Sequence, residues 1–162
     1  MFDETNLKSA HKQAIIVSVA FFFSLIVYTG LAEFFLASLR IEIEPSVLTI
    51  LNAIFILLSM AEAGLMMFLK NRILEGKTKI SMGMESETGE WQFIQRLRSA
   101  HIITYALSEA IALQGLIIYI LGKTKTAFYA FLGICVFMMI VNFPRYDDWK
   151  SRLEDFLSDM GQ

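Results

Sequence analysis

The sequence predicts an all-α integral membrane protein, a four-helix bundle with an amphipathic C-terminal helix. Three observations support this prediction. Of the 162 residues, 56% are hydrophobic, whereas soluble domains average about 45–50%. These residues form four blocks with lengths that suit membrane spans. The segment after the last block has apolar residues at helical spacing.

The first two blocks follow a short polar segment. Residues 1–12 are mixed in charge, and we expect a cytoplasmic lead-in with at most a half-turn of interfacial helix. The first span is predicted over residues 14–39 and the second over residues 47–69. Pro45 suits the first turn of the second helix, where no amide donor is needed.

The long polar segment, residues 70–98, separates the second span from the third. Its last part, residues 91–98, has apolar residues three apart, which predicts an interfacial helix running into the third span. The third span, residues 99–121, is the stretch around which the chain is organised. It carries an ionisable residue, Glu109, near the middle of an apolar helix.

A very short turn joins the third span to the fourth, predicted over residues 126–143, so these two should be antiparallel neighbours. Residues 146–162 are predicted to form an amphipathic helix. Its first turn holds Asp147 and Asp148, which suit the positive end of the helix dipole. We expect this tail to lie on the membrane surface or to dock on the long loop, apart from a transmembrane domain over residues 1–145.

The distribution of charge predicts the orientation. Eleven of the 14 Lys and Arg residues lie in the N-terminus, the long loop and the C-terminus, and basic residues favour the cytoplasmic side. We therefore expect both termini and the loop 70–98 in the cytoplasm, and a prokaryotic-type inner membrane as the location. The net charge of −2 gives no reason to expect a nucleic-acid partner.

The cysteine and histidine content excludes several classes. The single cysteine, Cys135, allows neither an intrachain disulfide nor a Cys-x-x-Cys redox pair. Two histidines cannot supply two bis-histidine haems. We expect no cofactor, no metal and no enzyme activity, because Cys135 has no basic partner on its own span.

Glu62 and Glu109 lie on adjacent predicted spans at similar depth, so we expect them to face each other. Ionisable groups at membrane depth are costly and are functional candidates. Because two carboxylates in a low-dielectric site cannot both ionise easily, such a pair would bind a proton or a small cation. The alternative is that each carboxyl group is protonated and only holds helices together.

A polar face leads towards Glu109. On a helix His101, Tyr105 and Glu109 are spaced i, i+4, i+8 and share one ascending face, which predicts a route for protons from the cytoplasm. The alternative for His101 is a plain interfacial residue. Glu33, near the outer end of the first span, would mark the exit of this route or reach into water. Gln114 lies off this face and should bond another helix.

Residues Ala106–Leu121, ALSEAIALQGLIIYIL, resemble the carboxylate-bearing helix of rotor-ring proteolipids, the c subunits of F-type ATP synthases and their V-type ATPase equivalents. In that family a Ser/Pro-Glu-Ala segment carries the glutamate that binds the transported proton or sodium ion. An arginine-containing polar loop precedes the helix, as Gln95–Arg98 does here. The resemblance implies that Glu109 binds the ion, with Ser108 beside it. It implies a diverged relative, because the second span has one glycine, Gly64, where the family has a glycine ladder.

We therefore expect a protein of the lipid bilayer that binds a proton or small cation at Glu109, assisted by Glu62 and Ser108. A second copy or another membrane protein should be its partner. Two rivals stay open. One is a non-catalytic assembly or accessory subunit that docks partners through the long loop and the C-terminal helix. The other is a small multidrug-type transporter, a family with a mid-membrane glutamate in the first span, where this chain has Glu33 nearer the outer end.

Overall fold

The computed structural model describes residues 4–35, 43–74, 89–122 and 124–160, and within these ranges the chain is all-helical. This confirms the predicted all-α class. The helices are α1 Glu4–Gly30, continued by a π-helical turn Leu31–Phe35, then α2 Pro45–Leu74, α3 Gly89–Gly122, α4 Lys125–Val141 and α5 Tyr146–Met160. The end of the first predicted span, residues 36–39, and about half of the long loop, residues 75–88, lie outside the described residues.

Several helices have the length and composition of membrane spans. In the described chain three are long and apolar enough to cross a membrane, namely α1 with its π-helical turn, α2 and α3. The number rises to four if α4 and α5 count as one broken span, since they meet at a bend of 54°. Pro144 lies in this break, and it ends α4 because proline lacks the amide donor and disfavours helix in the residue before it.

Helices α1, α2 and α3 are longer than the predicted spans, and α3 confirms the prediction that a helix over residues 91–98 runs into the third span. The lead-in, predicted as at most a half-turn of helix, belongs to α1 from Glu4 onward. Helix α2 continues to Leu74, five residues beyond its predicted end. The 34 residues of α3 correspond to about 51 Å at about 1.5 Å per residue, well over the roughly 30 Å of a hydrocarbon core.

A buried apolar cluster, here called the end cluster, explains why these helices extend. It joins the first turns of α1 and α3 to one face of α5. Its buried members are Leu7, Ala10, Ala14, Phe93, Ile94, Leu97, Trp149 and Leu153. The C-terminal helix is therefore packed into the same unit as α1 and α3, and the last part of the 70–98 segment forms part of its docking surface.

Helix α3 is central among the described elements. It contacts α1, α2, α4 and α5, and its buried side chains contribute to each apolar cluster. Tyr105 and Ala112 pack with residues of α1 and α4, whereas Ile111 and Ile118 pack with Phe131 of α4. By contrast, the buried residues of α2 number three in thirty, and they are Ser59, Met66 and Ile73. The fold thus places α3 inside and leaves most of α2 exposed.

Gly115 sets the distance between α3 and α4. A methyl group added at Gly115 would lie 2.6 Å from Cβ of Phe131 and 3.2 Å from the carbonyl oxygen of Phe128. Both atoms belong to α4, so the two helices approach as closely as only glycine permits. The short connection from Gly122 to Lys125 holds α3 and α4 as neighbours and makes this close approach possible.

We predict that Gly115→Ala destabilises the protein by about 1–3 kcal/mol, because a well-packed contact must open to admit the extra carbon. Gly133→Ala is the matched control, since a Cβ there meets nothing within 4 Å; it should leave stability unchanged or raise it. Thermal unfolding of the two variants in the same detergent measures the difference. Equal midpoints for both variants would contradict the proposed close approach.

Candidate functional site

Glu109 faces α1 and accepts two hydroxyl hydrogen bonds there. The hydroxyl of Ser24 lies 2.5 Å from its Oε1 atom, and the hydroxyl of Tyr28 donates to the same oxygen at 2.6 Å. Ser24 and Tyr28 are four residues apart on α1 and therefore share one face of that helix. The carboxyl group is thus held between α1 and α3 by two short oxygen–oxygen contacts, with Glu109 partly buried.

The Ser24 hydroxyl has a choice of two acceptors. Besides Glu109, it lies 2.7 Å from the carbonyl oxygen of Phe21 on its own helix. A hydroxyl has one hydrogen to donate and two lone pairs to accept. If Glu109 is ionised, Ser24 donates to it. If Glu109 is protonated, its own hydrogen can be donated to Ser24, which then donates to Phe21. In either protonation state the Oε1 atom of Glu109 keeps its hydrogen bond to Ser24, because only the Ser24 hydroxyl has to rotate.

Glu62 lies in a second polar group, between α2 and α3. The side-chain nitrogen of Gln114 donates to both oxygens of Glu62, each at 2.8 Å. Ser59 donates to the side-chain oxygen of the same Gln114 at 2.6 Å. Ser59 and Glu62 are three residues apart on α2, so together they hold both ends of the Gln114 amide. The amide oxygen and the amide nitrogen of Gln114 thus both bond α2, which joins α2 to α3. This confirms the prediction that Gln114 bonds another helix.

The expected pairing of Glu62 with Glu109 is not what the hydrogen bonds show. Glu109 is bonded to α1, whereas Glu62 is bonded to Gln114 on α3. Residues 109 and 114 are about 140° apart around a helix, so they face different neighbours. The expectation of one shared site assumed that only α2 and α3 meet at this level, and it overlooked α1.

Ser108 is oriented away from the Glu109 site. Its hydroxyl donates to the carbonyl oxygen of Thr104 at 2.9 Å and contacts the sulfur of Met66 on α2 at 3.8 Å. The residues that do contact Glu109, Ser24 and Tyr28, were missed in the sequence. A signal for them existed, because they are polar residues at i, i+4 within an apolar block.

His101 and Tyr105 are adjacent but their hydrogen bonds lead elsewhere. Their ring centroids are 4.4 Å apart. The ring nitrogen Nε2 of His101 lies 2.8 Å from the hydroxyl of Ser18 on α1, and Tyr105 donates to the carbonyl oxygen of Met139 on α4 at 2.9 Å. The described hydrogen bonds therefore tie these residues to α1 and α4, without linking Tyr105 to Glu109.

Glu33 is bonded at the end of α1 that lies far from the end cluster. It accepts hydrogen bonds from Lys125 and Tyr129 at the start of α4, each at 2.6 Å. These side chains are partly exposed to solvent, Lys125 at 53% and Glu33 at 34%. An exposed ion pair of this kind contributes little to stability. Its arrangement tethers the π-helical turn to α4.

The candidate site is therefore the carboxyl group of Glu109 with the Ser24 and Tyr28 hydroxyls. Within the described ranges, no group of three or more His, Cys, Asp or Glu residues could hold a metal ion. No family model, curated protein or solved structure matches this chain. The similarity to rotor-ring proteolipids accordingly remains a prediction, and the function is argued from the geometry of the site.

We predict that Gln114→Leu destabilises the protein by about 1–3 kcal/mol, because Glu62 and Ser59 lose their partner. When Glu62 is already replaced by leucine, Gln114→Leu should lower the free energy of unfolding by less. The difference, which is the coupling free energy of the pair, should be about 0.5–2 kcal/mol. Denaturation by sodium dodecyl sulfate in mixed micelles gives the free energies for this double-mutant cycle.

The matched control combines Gln114→Leu with Glu109→Gln. Because the two carboxyl groups belong to separate polar groups, these two changes should add within about 0.5 kcal/mol. If the free energies of Gln114→Leu and Glu62→Leu were additive, Gln114 and Glu62 would not be bonded to each other. If those of Gln114→Leu and Glu109→Gln were strongly coupled, Glu62 and Glu109 would not belong to separate polar groups.

Proposed function

We propose that this chain is an integral membrane protein whose Glu109 takes up and releases a proton between α1 and α3. The apolar helices support the membrane location, and so does the surface. Large side chains are exposed along them, including Phe34 at 83%, Met60 at 68% and Phe23 at 63%. Soluble monomers rarely expose apolar patches of such extent, whereas lipid covers them at no cost.

The choice that Ser24 has between two acceptors carries the proposal for Glu109. A carboxyl group that served only to hold helices together would need one satisfied state. Here the Oε1 atom of Glu109 can be hydrogen-bonded with and without the proton, because the Ser24 hydroxyl can turn to Glu109 or to Phe21. Tyr28 keeps donating in both states. A site of this kind loses little hydrogen bonding when the proton leaves, which is what reversible binding requires.

The small number of oxygen-bearing side chains favours a proton over a metal cation as the occupant. The described hydrogen bonds of the Glu109 carboxyl group go to the hydroxyls of Ser24 and Tyr28, whereas a bound metal cation is typically surrounded by about six or more oxygen ligands. A sodium ion would also need more oxygen ligands than the three groups supply.

A second candidate function, a non-catalytic assembly subunit, is favoured by α2. Its outward face is apolar and exposed, with Ile50 at 61% and Leu57 at 66%, and Gly64 has open space around it. A partner helix would fit against such a face, although lipid covers it equally well. In that case Glu109 would be structural, and its proton would not exchange with the medium.

We predict that a carboxyl-directed carbodiimide labels Glu109 in liposomes, and that labelling rises as the pH falls, because the reagent reacts with the protonated carboxyl group. Glu109→Gln should abolish this labelling, whereas Glu62→Gln, the matched control, should retain it. Ser24→Ala should move the pH dependence of the labelling towards higher pH, because the ionised carboxylate loses one of its hydroxyl donors. Mass spectrometry of the labelled peptide measures the extent.

The proposal would be wrong if labelling did not depend on pH and if Glu109→Gln left proton uptake by the liposomes unchanged. The second candidate function, a non-catalytic assembly subunit, would then be favoured. Protection of Glu109 by sodium or lithium at constant pH would show that a small cation is the occupant instead.

A further inference from the structure

A polar cavity of about 90 Å³ opens where α4 passes into α5, beside the end cluster. Its walls come from the last turns of α2, the part of α3 around His101, and the break between α4 and α5. The charged side chains in the wall are Lys70, Arg145, Asp148 and Arg152. None of these residues belongs to the Glu109 site or to the Glu62 group, so the cavity is a separate feature of the molecule.

Positive charge dominates this cavity. Three cations oppose one carboxylate, which leaves an excess of two positive charges with His101 neutral. Within the described residues, neither Lys70 nor either arginine forms an ion pair; the ion pairs found there join Lys8 to Glu4 and Lys125 to Glu33. Like charges that line one cavity repel each other, so an anion bound among them is stabilised by all three.

The donors in the wall suit an oxyanion. Lys70 is held over the cavity by donating from Nζ to the side-chain oxygen of Asn142 at 2.9 Å, and Asn142 in turn donates to the carbonyl oxygen of Met138 at 2.9 Å. An ammonium group carries three donors, and this bond uses one. The guanidinium groups of Arg145 and Arg152 present forked pairs of donors that match phosphate oxygens.

We propose that this cavity binds a phosphate group, carried by a phospholipid or by a small soluble phosphate. The cavity has room for several waters, and therefore for one phosphate group. The lipid source rests on the proposed membrane location. The cavity lies beside the end cluster, where α4 passes into α5. With the orientation that the charge distribution predicts, this end of the molecule faces the cytoplasmic leaflet, which is rich in anionic lipids.

The test compares the two sources of phosphate. In one arm, the full chain is placed in nanodiscs of phosphatidylcholine with phosphatidylglycerol, and lipids retained by the released protein are counted by native mass spectrometry. In the other arm, the delipidated protein in neutral detergent is titrated with inorganic phosphate and with glycerol 3-phosphate by calorimetry. We expect one anionic lipid retained per chain, or saturable binding of the soluble phosphates.

Arg145→Gln and Arg152→Gln should each weaken binding about fivefold, since a basic residue near an anionic surface contributes about 1 kcal/mol. Both side chains are exposed, so these changes should not unfold the protein. Lys12→Gln is the matched control, because Lys12 is an exposed cation near the same end that does not line the cavity. It should bind as the wild type does, and so should Glu109→Gln, which tests the proton site separately.

Retention of lipid supports a headgroup, and binding of soluble phosphate alone supports a free phosphate ester or ion. Absence of binding in both arms overturns the proposal. An equal loss with Lys12→Gln also overturns it, because attraction would then be spread over the whole basic surface. Neither result would alter the pH-dependent labelling of Glu109.

Discussion

The cost of an unsatisfied polar group in an apolar surrounding governs this structure. Helix α3 is the most enclosed helix and carries His101, Tyr105, Glu109 and Gln114 among apolar residues. Each of these side chains has a hydrogen-bond partner on another helix. Water could supply such partners at a surface, but in hydrocarbon only protein can. Hydrogen bonds therefore determine which helices pack against α3 as much as apolar contacts do.

This requirement gives the two sides of α3 different roles. Towards α2, Gln114 uses both its oxygen and its nitrogen, and a side chain so fully engaged is suited to holding two helices in register. Towards α1, the Ser24 hydroxyl can serve either Phe21 or Glu109, and this freedom is what a group that exchanges a proton needs. The fold thus combines a rigid contact on one face with an adjustable one on the other.

The central helix and its polar residues could be predicted from the sequence, whereas the pairing of each polar residue with a particular neighbouring helix could not. Glu109 and Gln114 are visible because each interrupts an apolar block. Pairing Glu109 with Ser24 and Tyr28 depends on how α1 is rotated and placed along α3, and an apolar helix without a strong polar face does not specify that. The extension of α1 escaped prediction for a similar reason, because Leu7 becomes a core residue only once α5 covers it. The extension of α3 could be predicted, because apolar residues three apart over residues 91–98 favour a helix that runs into the third span.

Cross-linking in native membranes tests whether Glu109 faces α1 while Gln114 faces α2. Cysteine pairs are introduced into a Cys135→Ala chain at positions 24 and 109, and at positions 59 and 114, and treated with a short bifunctional thiol reagent. We predict cross-links for these two pairs and none for the swapped pairs, 24 with 114 and 59 with 109. Efficient cross-linking of the swapped pairs would contradict the separate sites and the orientation of α3 on which the account depends.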